Sequence, residues 1–221
     1  MEWVGDRAMT TPERVIERIS LYRRLLDSLK GEGQATIFSH ELAGLARGTA
    51  TQVRRDMMTI GVTGSPAHGY RAQDLIDAIG LYLDSPEPEG VALVGIGNLG
   101  RAIMAFFQGR RPNLRIVAAF DVSPEKVGRV IHGCRCHPLD DLERVVREEG
   151  IRVGVVAVPA SAAQDVADRL VRGGVRGLVN LAPVRLHVPP GVHTTHVDIT
   201  MSLEKAAYFA RQRAGRKEGE P

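Results

Sequence analysis

"VALVGIGNLGRA", Val91 to Ala102, is an apolar run that breaks into three glycines and resumes with helix-compatible residues. A strand followed by G-x-G-x-x-G reads as the phosphate turn of a dinucleotide site. In that turn Gly95 permits the bend, Gly97 lets a pyrophosphate approach the backbone, and Gly100 lets the next helix lie close to the strand. The phosphates are expected on the N-terminus of that helix, against Ile96, Asn98 and Leu99. The glycine pattern alone is weak, so its context has to carry it. Leu99, Ile103 and Phe107 recur at helical spacing, and Asp121 closes the next apolar run, followed by Val122. A carboxylate there is expected to accept the ribose hydroxyls of an adenosine and to favour NAD over NADP. The alternative for Asp121 is a carboxylate that caps the turn at Ser123.

The rest of the downstream chain alternates between apolar runs and helical patterns. Candidate strands cover residues 91–94, 115–120, 130–131, 152–158, 178–180 and 193–197, with helices beginning near Leu99, Pro138, Ala162 and Ser202. Apolar strands separated by helices form a parallel sheet covered on both faces, a doubly wound Rossmann domain.

The glycine turn does not open the chain, and "LDSPEPEG", Leu83 to Gly90, has the composition of a linker. In the segment before it, Val15, Ile19, Tyr22, Leu26 and Leu29 form one stripe of a helix, with Thr11 as cap and Pro12 at its first position. Next, Ser39 is expected to cap a short helix to about Ala46, Gly48 supports a tight turn, and a second helix runs from Thr49 to Ile60. Two short helices around a turn are the helix-turn-helix pattern. Val53, Met57 and Ile60 mark the buried side of the second helix. Thr51, Gln52, Arg54 and Arg55 cluster in its first half, where they could meet base edges and phosphates, with Ser39, Arg47 and Thr49 flanking them. A small helical subdomain with a merely solvated polar face is the alternative. Short extended pieces around Gly64 to Gly69 before a helix from Ala72 read as a wing. Its tip, Ser65, Pro66 and Ala67, is not basic, so His68 and Arg71 are its only candidate contacts.

Composition bounds the function. The chain has 221 residues and a formal charge of +3, while residues 14–55 carry eight Lys and Arg against four Asp and Glu. No apolar run approaches a membrane span and the first residues lack a signal-like apolar region, so a cytoplasmic protein with no membrane partner is expected. Cys134 and Cys136, as C-R-C, are too few for a structural zinc site and are expected to be two reduced thiols, with a redox-active pair as the alternative, so no metal is expected. A dehydrogenase needs a proton donor or acceptor beside the nicotinamide and a domain that holds substrate. His132, His137, His187, His193 and His196 show no acid-base partner, and the chain after Asp198 is too short for a substrate domain. No catalytic residue is therefore expected. A dehydrogenase with an N-terminal appendage and a CoA-binding module remain as alternatives.

Taken together, "QVRRD" (52–56), "VGIGNLGRA" (94–102), "AAFD" (118–121), "AVPA" (157–160), "NLAPVRL" (180–186) and "VDITMSLEKAAYF" (197–209) strongly resemble the Rex redox-sensing transcriptional repressors. The resemblance covers residues 14–211. It implies a winged-helix DNA-binding domain at 1–84, a Rossmann NAD(H)-binding domain at 85–199 and a dimerisation helix at 200–213, while the polar, charged composition of 214–221 points to a disordered tail. The resemblance further implies a homodimer, closed by the swapped C-terminal helix, that binds palindromic operator double-stranded DNA when NADH is low and releases it when NADH accumulates. The nicotinamide side of the site falls near Ala157, Val158, Pro159, Asn180, Ala182 and Pro183, a largely uncharged region suited to the neutral, reduced ring. The family's regulatory contact joins an arginine, an aromatic hydroxyl and an aspartate. By position these are Arg24, Phe106 and Asp198, and Phe106 lacks the hydroxyl that the family often has there.

Overall fold

Ile19, Tyr22 and Leu26 lie three and four residues apart, and the helix they build, α1 (Glu13–Gly31), buries all three. The structure, a computed structural model, describes residues 11–31, 35–109 and 113–217, with side chains described as far as residue 212. The chain divides into two compact units between Pro86 and Glu87.

In the first unit, β1 (Thr36–Ile37), α2 (Ser39–Ala46), α3 (Ala50–Thr59), β2 (Tyr70–Arg71) and α4 (Ala72–Leu83) follow α1. Leu42 of α2, Val53 and Met57 of α3, and Leu75 and Ile79 of α4 complete the core begun by α1. Three local expectations are corrected. Ser39 does not cap α2: it is the first helical residue, Phe38 is the extended residue before it, and the Phe38 N–H donates to the Glu41 carboxylate at 2.7 Å. Arg47, not Gly48, takes the left-handed conformation that ends α2, at φ 54°. The Gly48 N–H returns to the Ala43 carbonyl at 2.9 Å and the Arg47 N–H to Gly44 at 3.3 Å, a Schellman closure. In the wing, β2 pairs antiparallel with β1, a strand the sequence did not announce, and the 64–69 segment closes only through a Ser65–Gly69 bridge.

The second unit runs β3 (Glu89–Val94), α5 (Asn98–Phe107), β4 (Leu114–Asp121), β5 (Val130–Ile131), β6 (Cys134–Pro138), a 3₁₀ turn (Leu139–Asp141), α6 (Leu142–Glu148), β7 (Val153–Val156), α7 (Ala160–Gly173), β8 (Gly177–Asn180), β9 (His193–His196) and α8 (Ile199–Lys217). The sheet order is β5-β6-β4-β3-β7-β8-β9, and every neighbouring pair is parallel except β5 with β6. Counted from β3 without the β5 hairpin arm, this is the Rossmann order 3-2-1-4-5-6. Alternate residues serve opposite faces. Ala92 and Val94 pack with residues of α6 and α7, whereas Val91 and Leu93 pack with Met104 of α5 and with both cysteines.

The strand β6, which the sequence did not announce, ends at Pro138, and the helix expected to begin there starts as the 3₁₀ turn and becomes α6. The alternation of β6 places Cys134 and Cys136 inward, with Arg135 exposed between them. Burial, reinforced by Cys136, pushes the Cys134 thiol up to about 11, and burial likewise raises Cys136. Both thiols are free and stay protonated near neutral pH, which removes the nucleophilic form a redox pair would need. At the C-terminus, α8 begins at Ile199 and continues to Lys217, through part of the tail expected to fray; residues 218–221 lie outside the described residues. Among the described residues no helix is long and apolar enough to cross a membrane, and no group of three or more His, Cys, Asp or Glu is arranged to hold a metal ion.

Candidate functional site

The carboxyl ends of β3, β4, β7 and β8 lie side by side, and each carries one of the sequence clusters singled out for the cofactor. The chain leaves β3 and β7, neighbours in the sheet, toward opposite sides, which makes their shared edge the topological switch point of the fold. The glycines there fit three separate demands. Gly95 has φ 96°, and a Cβ on it would lie 2.4 Å from the Ala157 carbonyl oxygen. At Gly100 a Cβ would lie 2.0 Å from the Gly95 oxygen, so only glycine lets α5 start against the loop. Gly97 is different: it is exposed, its backbone is extended (φ −78°, ψ −165°), and a Cβ would meet nothing within 4 Å. The space at Gly97 is open ground at the N-terminus of α5, where backbone N–H groups and the helix dipole attract phosphate.

Asp121 ends β4 beside this turn and is 8 % exposed. Its Oδ2 accepts from the Ile96 N–H at 2.8 Å and from Lys126 Nζ at 2.9 Å, and its Oδ1 accepts from the Ser123 N–H at 2.9 Å. Burial raises the pKa, but the Lys126 ammonium and the two backbone donors outweigh it and hold the carboxyl below the usual range. Asp121 therefore caps the turn at Ser123 and, through Ile96, fixes the glycine loop. Three of its roughly four acceptor positions are filled, leaving room for one further donor such as a ribose hydroxyl. Lys126 went unremarked in the sequence, although its place five residues after Asp121 was there to read. Val122, 76 % exposed, offers an apolar surface next to it.

Beyond β8 the loop is built around Asn180, which is fully buried. Its Nδ2 donates to the Val184 carbonyl at 2.6 Å and faces His196 Nδ1 at 3.0 Å, while Oδ1 accepts from the Ala182 N–H at 3.0 Å. The Asn180 side chain is thus occupied by its own loop, Ala182 is buried, and of this cluster Pro183 is exposed, as is Pro159 after β7. Of the three regulatory candidates, Arg24 is exposed on α1 of the first unit, and Phe106 is 56 % exposed on α5 with its ring edge-on to Phe107. Asp198 caps α8 by accepting the Met201 N–H at 2.8 Å, and lies 3.9 Å from His196 Nε2.

In the first unit α3 divides its faces. Val53, Asp56 and Met57 are buried, whereas Thr51, Arg54 and Arg55 are exposed and Gln52 is half-buried. Thr49 caps the helix by accepting the Gln52 N–H at 3.2 Å. The Arg54 guanidinium donates to Ser39 Oγ at 3.1 Å and to Thr51 Oγ1 at 3.3 Å, and the residue is exposed. Arg47 stands exposed at the turn in a conformation that costs a side-chain-bearing residue about 1 to 2 kcal/mol. Arg47→Gly is expected to stabilise this unit by about 0.5 to 1 kcal/mol and to weaken DNA binding; a thermal melt with a binding titration checks both. His68 lies in the exposed Ser65–Gly69 turn, its N–H donating to Ser65 Oγ at 3.3 Å. Asp56, the one buried carboxylate among the unit's described residues, is met by Arg18 and Tyr22, a trio the sequence reading passed over.

A helix-turn-helix unit joined to a unit with a nucleotide-binding turn defines a ligand-linked DNA-binding regulator as the class of protein. Comparison with known proteins narrows the class. The family described as "Putative DNA-binding protein N-terminus" matches residues 10–57, and the CoA binding domain family matches residues 86–184. The chain is 39% identical over 204 residues to the redox-sensing transcriptional repressor Rex of Roseiflexus sp. (strain RS-1), covering 92% of this chain and 93% of that protein. It is 39% identical over 201 residues to the Rex of Carboxydothermus hydrogenoformans, covering 91% and 97%. Among solved structures, RSP, a Rex-family repressor, matches with a TM-score of 0.85 at 28% identity, over 95% of this chain and 99% of that one. RSP in complex with β-NAD⁺ and operator DNA matches with a TM-score of 0.83 at 28% identity, over 94% and 96%. The chain belongs to the Rex family of redox-sensing transcriptional repressors.

Proposed function

We propose that this chain is a transcriptional repressor that binds operator DNA through α3 and releases it when NADH occupies the second unit. The observation that carries the reading is the pairing, in one chain, of an exposed cationic helix-turn-helix with a glycine turn left open at Gly97. RSP has been solved with β-NADH and with β-NAD⁺ and operator DNA, and its relationship to this chain supports both ligands here. Gly95 to Gly100 would hold the pyrophosphate, Asp121 and Val122 the adenosine, and Ala157 to Pro159 with Pro183 the nicotinamide side. Asn180 would position that loop from beneath rather than touch the cofactor. Arg47, Thr49, Thr51, Gln52, Arg54 and Arg55 would face the DNA, with Ser39 steering Arg54 and His68 at the wing. Arg24, Phe106 and Asp198 would carry the redox signal, Phe106 by packing alone. No residue is assigned a catalytic role. A repressor works in the compartment that holds the chromosome, which we take to be the bacterial cytoplasm.

The same reading makes the protein a homodimer. Every described side chain of α8 from Ile199 to Gln212 is exposed, including Met201, Leu203, Tyr208 and Phe209. On the sheet face covered by α5, Val153, Val179 and Leu181 stay only partly buried. The exposed apolar side chains of α8 need a partner surface, and the α8 of a second copy supplies a cover for that face.

Because the second unit also matches the CoA binding domain family, the cofactor is the point to test. NADH titrated into the protein and followed by its own fluorescence is expected to bind, with CoA displacing it at least about a hundredfold more weakly. The ionised Asp121 disfavours a phosphorylated ribose. Tight CoA binding with no NADH binding would overturn the assignment.

A further inference from the structure

We propose that Arg18 and Tyr22 of α1 are specificity-positioning residues: through Asp56 they set the rotation and depth of α3, and with them the capacity of the protein to tell its operator from other DNA. The inference rests on the DNA-binding reading above. Asp56 follows Arg54 and Arg55 directly, yet it points the other way and is 2 % exposed. Arg18 donates from Nε to Oδ2 and from Nη2 to Oδ1, both at 2.7 Å, so the guanidinium grips the carboxylate with two parallel bonds. One turn along α1, the fully buried Tyr22 adds its hydroxyl to Oδ2 at 3.0 Å. Burial and the bond to Asp56 raise the tyrosine to about 12, so it remains a donor at any working pH.

The neighbouring contacts of α3, through Val53 and Met57, are apolar and indifferent to small rotations. A bidentate Arg–carboxylate pair is directional, and the third bond from Tyr22 removes the remaining swivel. Base readout depends on side chains held within about 0.5 Å and 10 to 20°. Phosphate contacts from flexible arginines tolerate more. Loosening the clamp therefore degrades discrimination before it degrades general DNA binding, and no phosphate contact is removed, so the salt dependence stays as it was.

The test uses the full chain carrying Arg18→Lys, which replaces the fork by a point charge, and separately Tyr22→Phe, which leaves the ion pair and the packing in place. Anisotropy titrations compare a palindromic duplex selected from random DNA by the parent protein with a scrambled duplex of equal length, over a series of salt concentrations and below each variant's melting temperature. The expected result is an operator affinity about tenfold lower for Arg18→Lys and a few-fold lower for Tyr22→Phe, with scrambled-DNA affinity and salt slope unchanged. Affinities for both duplexes that fall together, or an unchanged operator-to-scrambled ratio, would overturn the proposal. If Arg18→Lys fails to fold, Tyr22→Phe decides alone. A parent protein that prefers no duplex removes the DNA-reading premise, and the proposal falls with it.

Discussion

Gly97→Val is expected to bind NADH about a hundredfold more weakly than the parent, a loss of about 2.7 kcal/mol, while its melting stays within about 1 kcal/mol of the parent. The backbone at Gly97 is extended, a conformation open to any residue, and a new Cβ meets no protein atom within 4 Å. Whatever the branched side chain obstructs must therefore come from outside the fold. Gly100→Ala provides the contrast. Its Cβ would lie 2.0 Å from the Gly95 carbonyl oxygen, so the loop or α5 must shift, and a destabilisation of about 3 kcal/mol is expected with or without cofactor. NADH fluorescence titrations and thermal melts of the two variants separate a ligand-facing glycine from a packing glycine. Normal NADH binding by Gly97→Val would show that the phosphates rest elsewhere.

The second large effect concerns the first unit. Arg18→Ala is expected to destabilise it by about 3 to 5 kcal/mol, because the buried Asp56 carboxyl is then left with the Tyr22 hydroxyl in place of three donors. Asp56→Ala should cost less, about 1 to 2 kcal/mol. The Arg18 side chain is 26% exposed and can swing its guanidinium to water, whereas Asp56, at 2%, cannot. Against a typical domain stability of about 5 to 15 kcal/mol, the first variant leaves the unit marginal and the second leaves it folded. Chemical denaturation of both checks the order, and the reverse order would mean that the pair contributes little.

The parts legible in the sequence were those whose physics is local. The run from Val91 to Ala102 combines a buried strand, a left-handed glycine and a helix start within twelve residues, so strand, turn and helix could be placed together. α3 was equally plain, because Thr49 is a good cap and Val53 and Met57 share one face. The strand β6 was missed because Arg135 and His137 interrupt an apolar reading. Its hairpin with β5 turns on His132 and Gly133, both at positive φ, where asparagine–glycine would have been the familiar signal. Arg47 was hidden by the same logic: a left-handed helix end is read from glycine, and Gly48 stood next to it. Nothing in "QVRRD" singles out Asp56, since its partner lies 38 residues away and only the packing of α1 on α3 brings the two together. Asn180 stood inside a stretch assigned to the cofactor, and only tertiary structure shows that its side chain is consumed by the Ala182 and Val184 backbone and faced by His196.

The most direct test of the account is a release titration. A fluorescently labelled operator fragment, bound by the purified protein at fixed salt, is titrated with NADH and separately with NAD⁺ while anisotropy is followed. Reduction adds a hydride to the nicotinamide ring and removes its positive charge while leaving the phosphates alone, and a coupling of about 1 to 3 kcal/mol, or roughly 5- to 150-fold in operator affinity, is all the switch has to supply. The account predicts that NADH frees the DNA at far lower concentration than NAD⁺. DNA binding that neither form alters, or that NAD⁺ weakens more than NADH, would contradict it.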